Sequence, residues 1–276
     1  MKKTLAILFT ILWINHSFCQ DPRLIYIDKY KILDTVRYEI IYEVTVQNNP
    51  NNKTFKENDI HKLLIGYHLS KTFSYLNFQN DSISNILIKQ NKDYPSTPAG
   101  VHTYEIFKKY NTKTVNFITI DDVEVFWYDE AIPLINWKIQ NEKKNIAGYS
   151  CQKASGKFRG RDYEAWFTYA IPISEGPYKF TGLPGLILEI YDTQNQYHFT
   201  CTNIKSPKSL ELLTIRDWKY ITKTTYEKYN ALRKSYAADP VGYYKTKGID
   251  LMIMENNKIK SPPQGYSIPY NPIELE

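Results

Sequence analysis

The chain has 276 residues, with 35 Lys and Arg against 29 Asp and Glu for a formal charge of +6, and 24 Tyr, 12 Phe and 5 Trp. The positive excess is mild and no basic run is dense, which argues against nucleic acid or anionic lipid as the natural partner. So many aromatic residues suit half-buried pleated surfaces better than helices.

In chain order, residues 1–19 read as a cleavable secretory signal. Lys2 and Lys3 give it a positive start, and Thr4 to Asn15 form an apolar run too short to span a bilayer. Ser17-Phe18-Cys19 then places small residues at −3 and −1 before Gln20. Acylation of Cys19 is the rival reading, in a poor context because Phe18 stands where a small residue belongs. Cleavage removes Lys2 and Lys3 and no acid, leaving a net charge of +4. The expected domain is β-rich over 20–276. No later segment approaches 18 apolar residues, so no transmembrane span is predicted in the mature chain.

Val36 to Gln47 alternates almost without fault, with Val36, Tyr38, Ile40, Tyr42, Val44 and Val46 on one face, as in a half-buried strand. Asn48 to Asn52 is a turn, Leu63 to Phe78 supports one or two more strands, and Asn91 to Gly100 is another polar loop. Val115 to Ile120 and Val123 to Tyr128 read as a hairpin around Asp121-Asp122, and Trp137 to Ile139 with Ile146 to Ala154 as the next pair. Strands over 161–170, 186–192 and 197–204 follow; in the last, Tyr197, Phe199 and Cys201 share a face. One helix is predicted over 224–238. Thr224 to Glu227 supplies a capping box, Tyr229, Leu232 and Tyr236 lie on one side, and Asp239-Pro240 stops it.

The densest motif is Gly182-Leu183-Pro184-Gly185-Leu186-Ile187. Pro184 and Gly185 at its centre fit a type II turn, with glycine supplying φ > 0, and a strand follows. No helix begins there and no Lys-Ser/Thr follows, so the turn is not a phosphate loop. These residues resemble the GLPGLI family, exported proteins of Gram-negative bacteria. Trp137, Ile146 to Ala154, Gly160-Arg161, Ala165 to Thr168, Ile171 to Ile173, Gly176 to Phe180 and Asn271 to Leu275 fit the same pattern. The resemblance implies export to the periplasm, the outer membrane or beyond, and an approximate architecture. It carries no catalytic residues.

No chemistry-bearing constellation stands out along the chain. His61, His68, His102 and His198 form no HxH or HExxH pattern, and no CxxC or GxSxG occurs. No catalytic residue, metal ligand or cofactor is therefore assigned. After cleavage Cys151 and Cys201 remain, and both a single disulfide and two buried thiols stay open. A simple meander of the four strands from 146 to 204 would hold the cysteine strands about 14 Å apart, too far for a bridge unless the sheet closes or reorders.

The expected fold is mainly β (or α+β): a curved antiparallel sheet, half-barrel-like in the manner of periplasmic lipoprotein carriers, with the helix near 224–238 packed on it. Trp127, Trp166 and Tyr169 are candidates for lining an apolar, aromatic cleft. The function expected is non-catalytic binding of an apolar ligand, such as lipid, or of an envelope protein. A structural part in an outer-membrane complex and an enzyme of unidentified type are the alternatives.

Overall fold

A computed structural model describes residues 29–93, 99–121, 124–218, 220–255 and 258–276. The predicted signal over 1–19, with Cys19, and residues 94–98 of the loop predicted at 91–100 lie outside the described residues. In chain order the elements are β1 (Tyr30–Thr35), β2 (Tyr38–Val46), β3 (Glu57–Ile65), β4 (Leu69–Ser74), α1 (Tyr75–Lys89), β5 (Glu105–Lys109), β6 (Thr114–Asp121) and β7 (Glu124–Ala131). There follow β8 (Lys138–Ile146), β9 (Tyr149–Phe158), β10 (Arg161–Thr168), β11 (Leu186–Asp192), β12 (Tyr197–Lys205), β13 (Leu212–Arg216) and β14 (Thr222–Lys223). The chain ends with α2 (Tyr226–Ala238), α3 (Pro240–Thr246), β15 (Ile253–Glu255), β16 (Lys258–Lys260) and an irregular tail. None of the described helices is long and apolar enough to cross a membrane.

Twelve strands form one sheet in the order β14-β7-β6-β5-β4-β3-β2-β12-β11-β10-β9-β8, antiparallel except where β14 joins β7. Two meanders thus meet where β2 pairs with β12. Consecutive strands β7 and β8 are ten positions apart, about 48 Å in a flat sheet. The connection over residues 132–137 reaches at most about 25 Å, so the sheet must curl. No ladder joins β7 to β8 among the described residues, and the sheet stays open.

The concave face holds the main core. Phe117 and Tyr128 from one end of the sheet and Ala154 and Phe158 from the other belong to one buried cluster, which only a curled sheet allows. The alternation predicted for 36–47 is borne out over 40–46, where Ile40, Tyr42, Val44 and Val46 are buried and Glu43 is exposed, but Val36 precedes the strand and packs in a separate cluster. The strand after Gln196 likewise buries Tyr197, Phe199 and Cys201. The convex face carries a second cluster, including Leu64, Phe73, Phe107 and Ile118, beside Leu213 of the two-stranded β1–β13 ribbon.

Several expectations need correction. Leu63 to Phe78 holds the end of β3, all of β4 and the start of α1, whose buried residues Asn77, Asp81 and Ser84 form a polar stripe while Phe78, Ile83 and Ile86 face solvent. Periodicity reads an apolar stripe as the inward face, so this inverted helix is invisible to it. Ile146 closes β8 instead of opening β9. The cap of α2 is Thr225, which accepts from the Lys228 amide at 3.3 Å, so Glu227 falls one position short of a reciprocal box. Asp239-Pro240 ends α2 as predicted and also starts α3, with Asp239 accepting from Gly242 at 2.8 Å.

The hexapeptide turn is also different. Gly185 does not take a positive φ; Gly182 does, at +97°. A Cβ on Gly185 would stand 2.0 Å from the Thr168 carbonyl oxygen, so glycine is needed there for close backbone approach. Cys151 and Cys201 are free, buried thiols. Strands β9 to β12 form the simple meander, which keeps the two cysteines on strands three steps apart. Burial pushes their pKa values up to about 11 and about 12.

Residues 171–183 connect β10 to β11 by passing through the concave side, where Tyr178, Phe180 and Leu183 are buried in the main core. Lys179 comes with them, wholly enclosed, its ammonium 2.5 Å from Glu130, 2.6 Å from Glu274 and 3.0 Å from the Tyr128 hydroxyl. Arg159 reaches the same two carboxylates at 2.5 and 3.7 Å. Lys179→Ala would leave both acids buried with a cation missing, an expected loss of about 3–5 kcal/mol in urea unfolding; a loss below about 1 kcal/mol would contradict this arrangement. Alkylation of the denatured chain without reductant should label both Cys151 and Cys201, and protection of either would contradict free thiols.

Candidate functional site

Between the concave sheet, α2 and the C-terminal tail lies a cavity of about 700 Å³, within the range of small-molecule sites. The sheet side is built from Tyr104, Phe117, Thr119 and Tyr128 of the segments around β5, β6 and β7. Helix α2 contributes Tyr226, Tyr229, Leu232, Arg233 and Tyr236 at helical spacing, so the stripe that periodicity detects is the stripe that roofs the cavity. Residues 269–274 form the third wall.

That tail is held by side chains from across the sheet. Arg161 donates to the Pro272 carbonyl and to Asn271 Oδ1, both at 2.7 Å, while also pairing with Asp192 at 3.2 Å. Asn271 donates to the Gln47 carbonyl at 2.6 Å, and the Tyr197 hydroxyl donates to the Asn271 carbonyl at 2.5 Å. Glu274 accepts from Tyr178 and Lys179.

Nine tyrosines line the cavity: 104, 128, 178, 197, 226, 229, 236, 243 and 270. Burial raises the pKa of Tyr104, Tyr128, Tyr178 and Tyr229 well above the phenol range, so these walls present neutral hydroxyls. Asp121 accepts from the Tyr229 hydroxyl at 2.8 Å and Glu274 is engaged as above. Arg233 lies at the edge, where burial opposes its charge but Tyr229 and Asp121 nearby hold its pKa above the ordinary range. The surface is therefore aromatic, hydroxyl-rich and supplied with a guanidinium.

At one end, His102 joins a buried cluster with Asp59 and His61. Asp59 and His61 stand two apart on β3 and so share a face; Asp59 Oδ2 lies 3.3 Å from His61 Nε2. Asp59 Oδ1 accepts from the Ser74 hydroxyl at 2.7 Å, and Oδ2 accepts from the His102 amide at 3.2 Å. Burial opposes ionisation of Asp59, but the hydrogen bond and charge of His61, with the Ser74 hydroxyl, outweigh it and bring its pKa to about 2. Burial, helped by neighbouring His61, lowers the pKa of His102 to about 3. The set forms no HxH or HExxH pattern because a carboxylate and a distant histidine complete it. The Asp-x-His spacing on a strand was the signal present.

The predicted cleft residues lie elsewhere. Trp127 packs with the convex cluster, donates to Asp129 at 2.6 Å and carries Lys223 3.6 Å from its ring centroid. Trp166 is buried with Lys144 over its ring, and Tyr169 is exposed against Phe167. None of the three lines the cavity. In the hexapeptide, Gly182 packs against Trp137, Leu183, Leu186 and Ile187 are core, Pro184 is exposed and Gly185 backs onto Thr168. The motif is core packing and does not line the cavity.

Residues 159–189 match a family described as "Protein of unknown function (Porph_ging)", of bacterial origin. That segment contains the hexapeptide and is compatible with the GLPGLI resemblance. No curated protein matches the chain. Among solved structures it is similar to "Structure of PNGF-II in P21 space group", with TM-score 0.47 and 18% identity over 74% of this chain and 34% of that one. A second similar structure is "Structure of PNGF-II in C2 space group", with TM-score 0.49 and 16% identity over 82% and 36%. The chain spans about a third of the length of these structures.

Since the pKa of His102 in the folded chain, about 3, lies below the ordinary 6.5, the unfolded chain takes up that proton first. Stability is expected to fall as pH drops from 6.5 towards 3, and His102→Gln should flatten the early part of that fall. Chemical denaturation at intervals from about pH 7.5 to about pH 4.5 measures the slope; an unchanged slope in the variant would contradict the assignment.

Proposed function

We propose that the protein is exported and binds, without catalysis, an amphipathic small molecule with an acidic group in the tyrosine-lined cavity. Residues 1–19 support export, as does the match of 159–189 to a bacterial family. The observation that carries the binding reading is the space of about 700 Å³ itself, with aromatic walls and Arg233 at its edge. Ring faces offer apolar contact area at low entropic cost, the buried phenols offer neutral donors, and a guanidinium pairs an acid with charge assistance. Glu274 is engaged by Lys179 and Tyr178, while Asp121, bound by Tyr229, also acts on Arg233, so an acidic ligand would share that guanidinium with Asp121.

The test is titration with a fluorescent long-chain fatty acid, alongside native mass spectrometry of protein purified from envelope extracts. Saturable one-to-one binding is expected, weakened about 10- to 100-fold by Arg233→Ala through loss of one charge-assisted bond. No co-purified small molecule and no saturable probe binding would overturn the proposal.

A further inference from the structure

We propose that Asp59, His61 and His102 form a binding site for a divalent transition-metal ion of the zinc class, opening through His102 towards the cavity. Each residue offers one ligand atom, and the three atoms lie within 4.8 Å of one another. Two imidazoles and a carboxylate are a donor set that zinc and its neighbours accept, with a further position left open. Asp59 Oδ2 and His61 Nε2 stand 3.3 Å apart, about the edge of a tetrahedron with bonds of 2.0–2.1 Å.

The surroundings are those of a prepared site. His61 is fully buried, and Nδ1 of His102 has no hydrogen-bond partner among the described residues. Such an orphan costs about 1–3 kcal/mol in a folded protein, a cost that coordination of an ion through that nitrogen would relieve. The Tyr104 hydroxyl is a second buried orphan, on a ring 4.9 Å from His102 and 5.6 Å from His61. Ser74 fixes the Asp59 carboxylate at 2.7 Å, the outer-shell contact that orients a ligating acid.

The His102 segment is fastened over this carboxylate by Asn77 of α1. Its amide donates to the His102 carbonyl at 2.8 Å, and its oxygen accepts from Gly100 at 2.7 Å. A Cβ on Gly100 would stand 2.2 Å from Ser74 Oγ and 2.6 Å from Asp59, so only glycine lets the segment lie this close. The buried polar stripe of α1 thus brings the third ligand to the two on β3. His198, beside Glu189 at 2.9 Å on the meander, is the competing place for a loosely held ion.

Metal-stripped protein should bind one Co²⁺ per chain with visible d–d absorption, displaced by one equivalent of Zn²⁺. His102→Gln should weaken this at least about tenfold, and His198→Gln should leave it unchanged. For the native chain alone, Zn²⁺ should raise the melting temperature, and zinc-edge X-ray absorption should report two imidazoles and an oxygen ligand. Absence of stoichiometric binding overturns the proposal, as does a cobalt spectrum that survives His102→Gln or is lost in His198→Gln. Only the ion is used as probe, so failure here is distinct from failure of the small-molecule reading.

Discussion

The Lys179 ammonium is fully enclosed and shared by Glu130 of β7 and Glu274 of the tail, and much else in the molecule follows from that contact. A buried cation is costly to desolvate and is tolerated only when its partners arrive in good geometry. Those partners come from the far edge of the sheet and from the last residues of the chain, 144 positions apart. Arg159, at the β9–β10 turn, binds the same two acids and stacks 4.0 Å from the Tyr226 ring centroid, which ties in α2. Acids and bases therefore alternate across the mouth of a sheet that no ladder closes. The ion cluster takes the place of the missing strand pairing.

The same clasp explains why the concave side is solid in one half and hollow in the other. Residues 171–183 fill the space against β10, β11 and β12, delivering Phe180 onto Tyr163 at 4.8 Å and onto Phe158 at 5.3 Å. Between β5, β6 and β7 and the roof the same segment brings Tyr178 and Lys179 only to the edge, and a cavity remains among the described residues. Phe117 and Tyr128 stack there at 4.8 Å and turn their remaining surface to the cavity. Pinning the tail through Arg161, Gln47 and Tyr197 sets its third wall at a fixed distance from α2. The hollow is thus bounded by well-anchored parts.

The convex face follows a different economy, with charge where apolar packing would be expected. Arg216 of β13 reaches Asp81 of α1 at 2.8 Å and Glu105 of β5 at 3.3 Å, while Lys71 of β4 meets Glu105 at 3.0 Å. This network holds the ribbon and the inverted helix to the sheet. It also fixes Asn77, and through it the segment bearing His102. An outer-face ion network thereby reaches the inner cluster of Asp59 and His61 through one helix.

Alternation along single strands was legible because it depends only on the two-residue period: Ile40, Tyr42, Val44 and Val46 must share a face whatever surrounds them. The same holds for Tyr197, Phe199 and Cys201, and for the tyrosine stripe of α2. What failed needed partners distant in sequence. A type II turn at Pro184-Gly185 was a reasonable local reading, but the nearness of Thr168 decides why Gly185 is glycine. A disulfide was chemically open, and the strand order removed it. Aromatic residues such as Trp127 and Tyr169 were identifiable as aromatic, while the face they occupy depended on which way the sheet curled. By itself the sequence determined a strand-rich, aromatic antiparallel protein, since propensity and period are local. Only the tertiary structure decided where the hollow lies and that Asp59, His61 and His102 meet, because curvature and the burial of α1 by its polar side arise from contacts between segments tens to hundreds of residues apart.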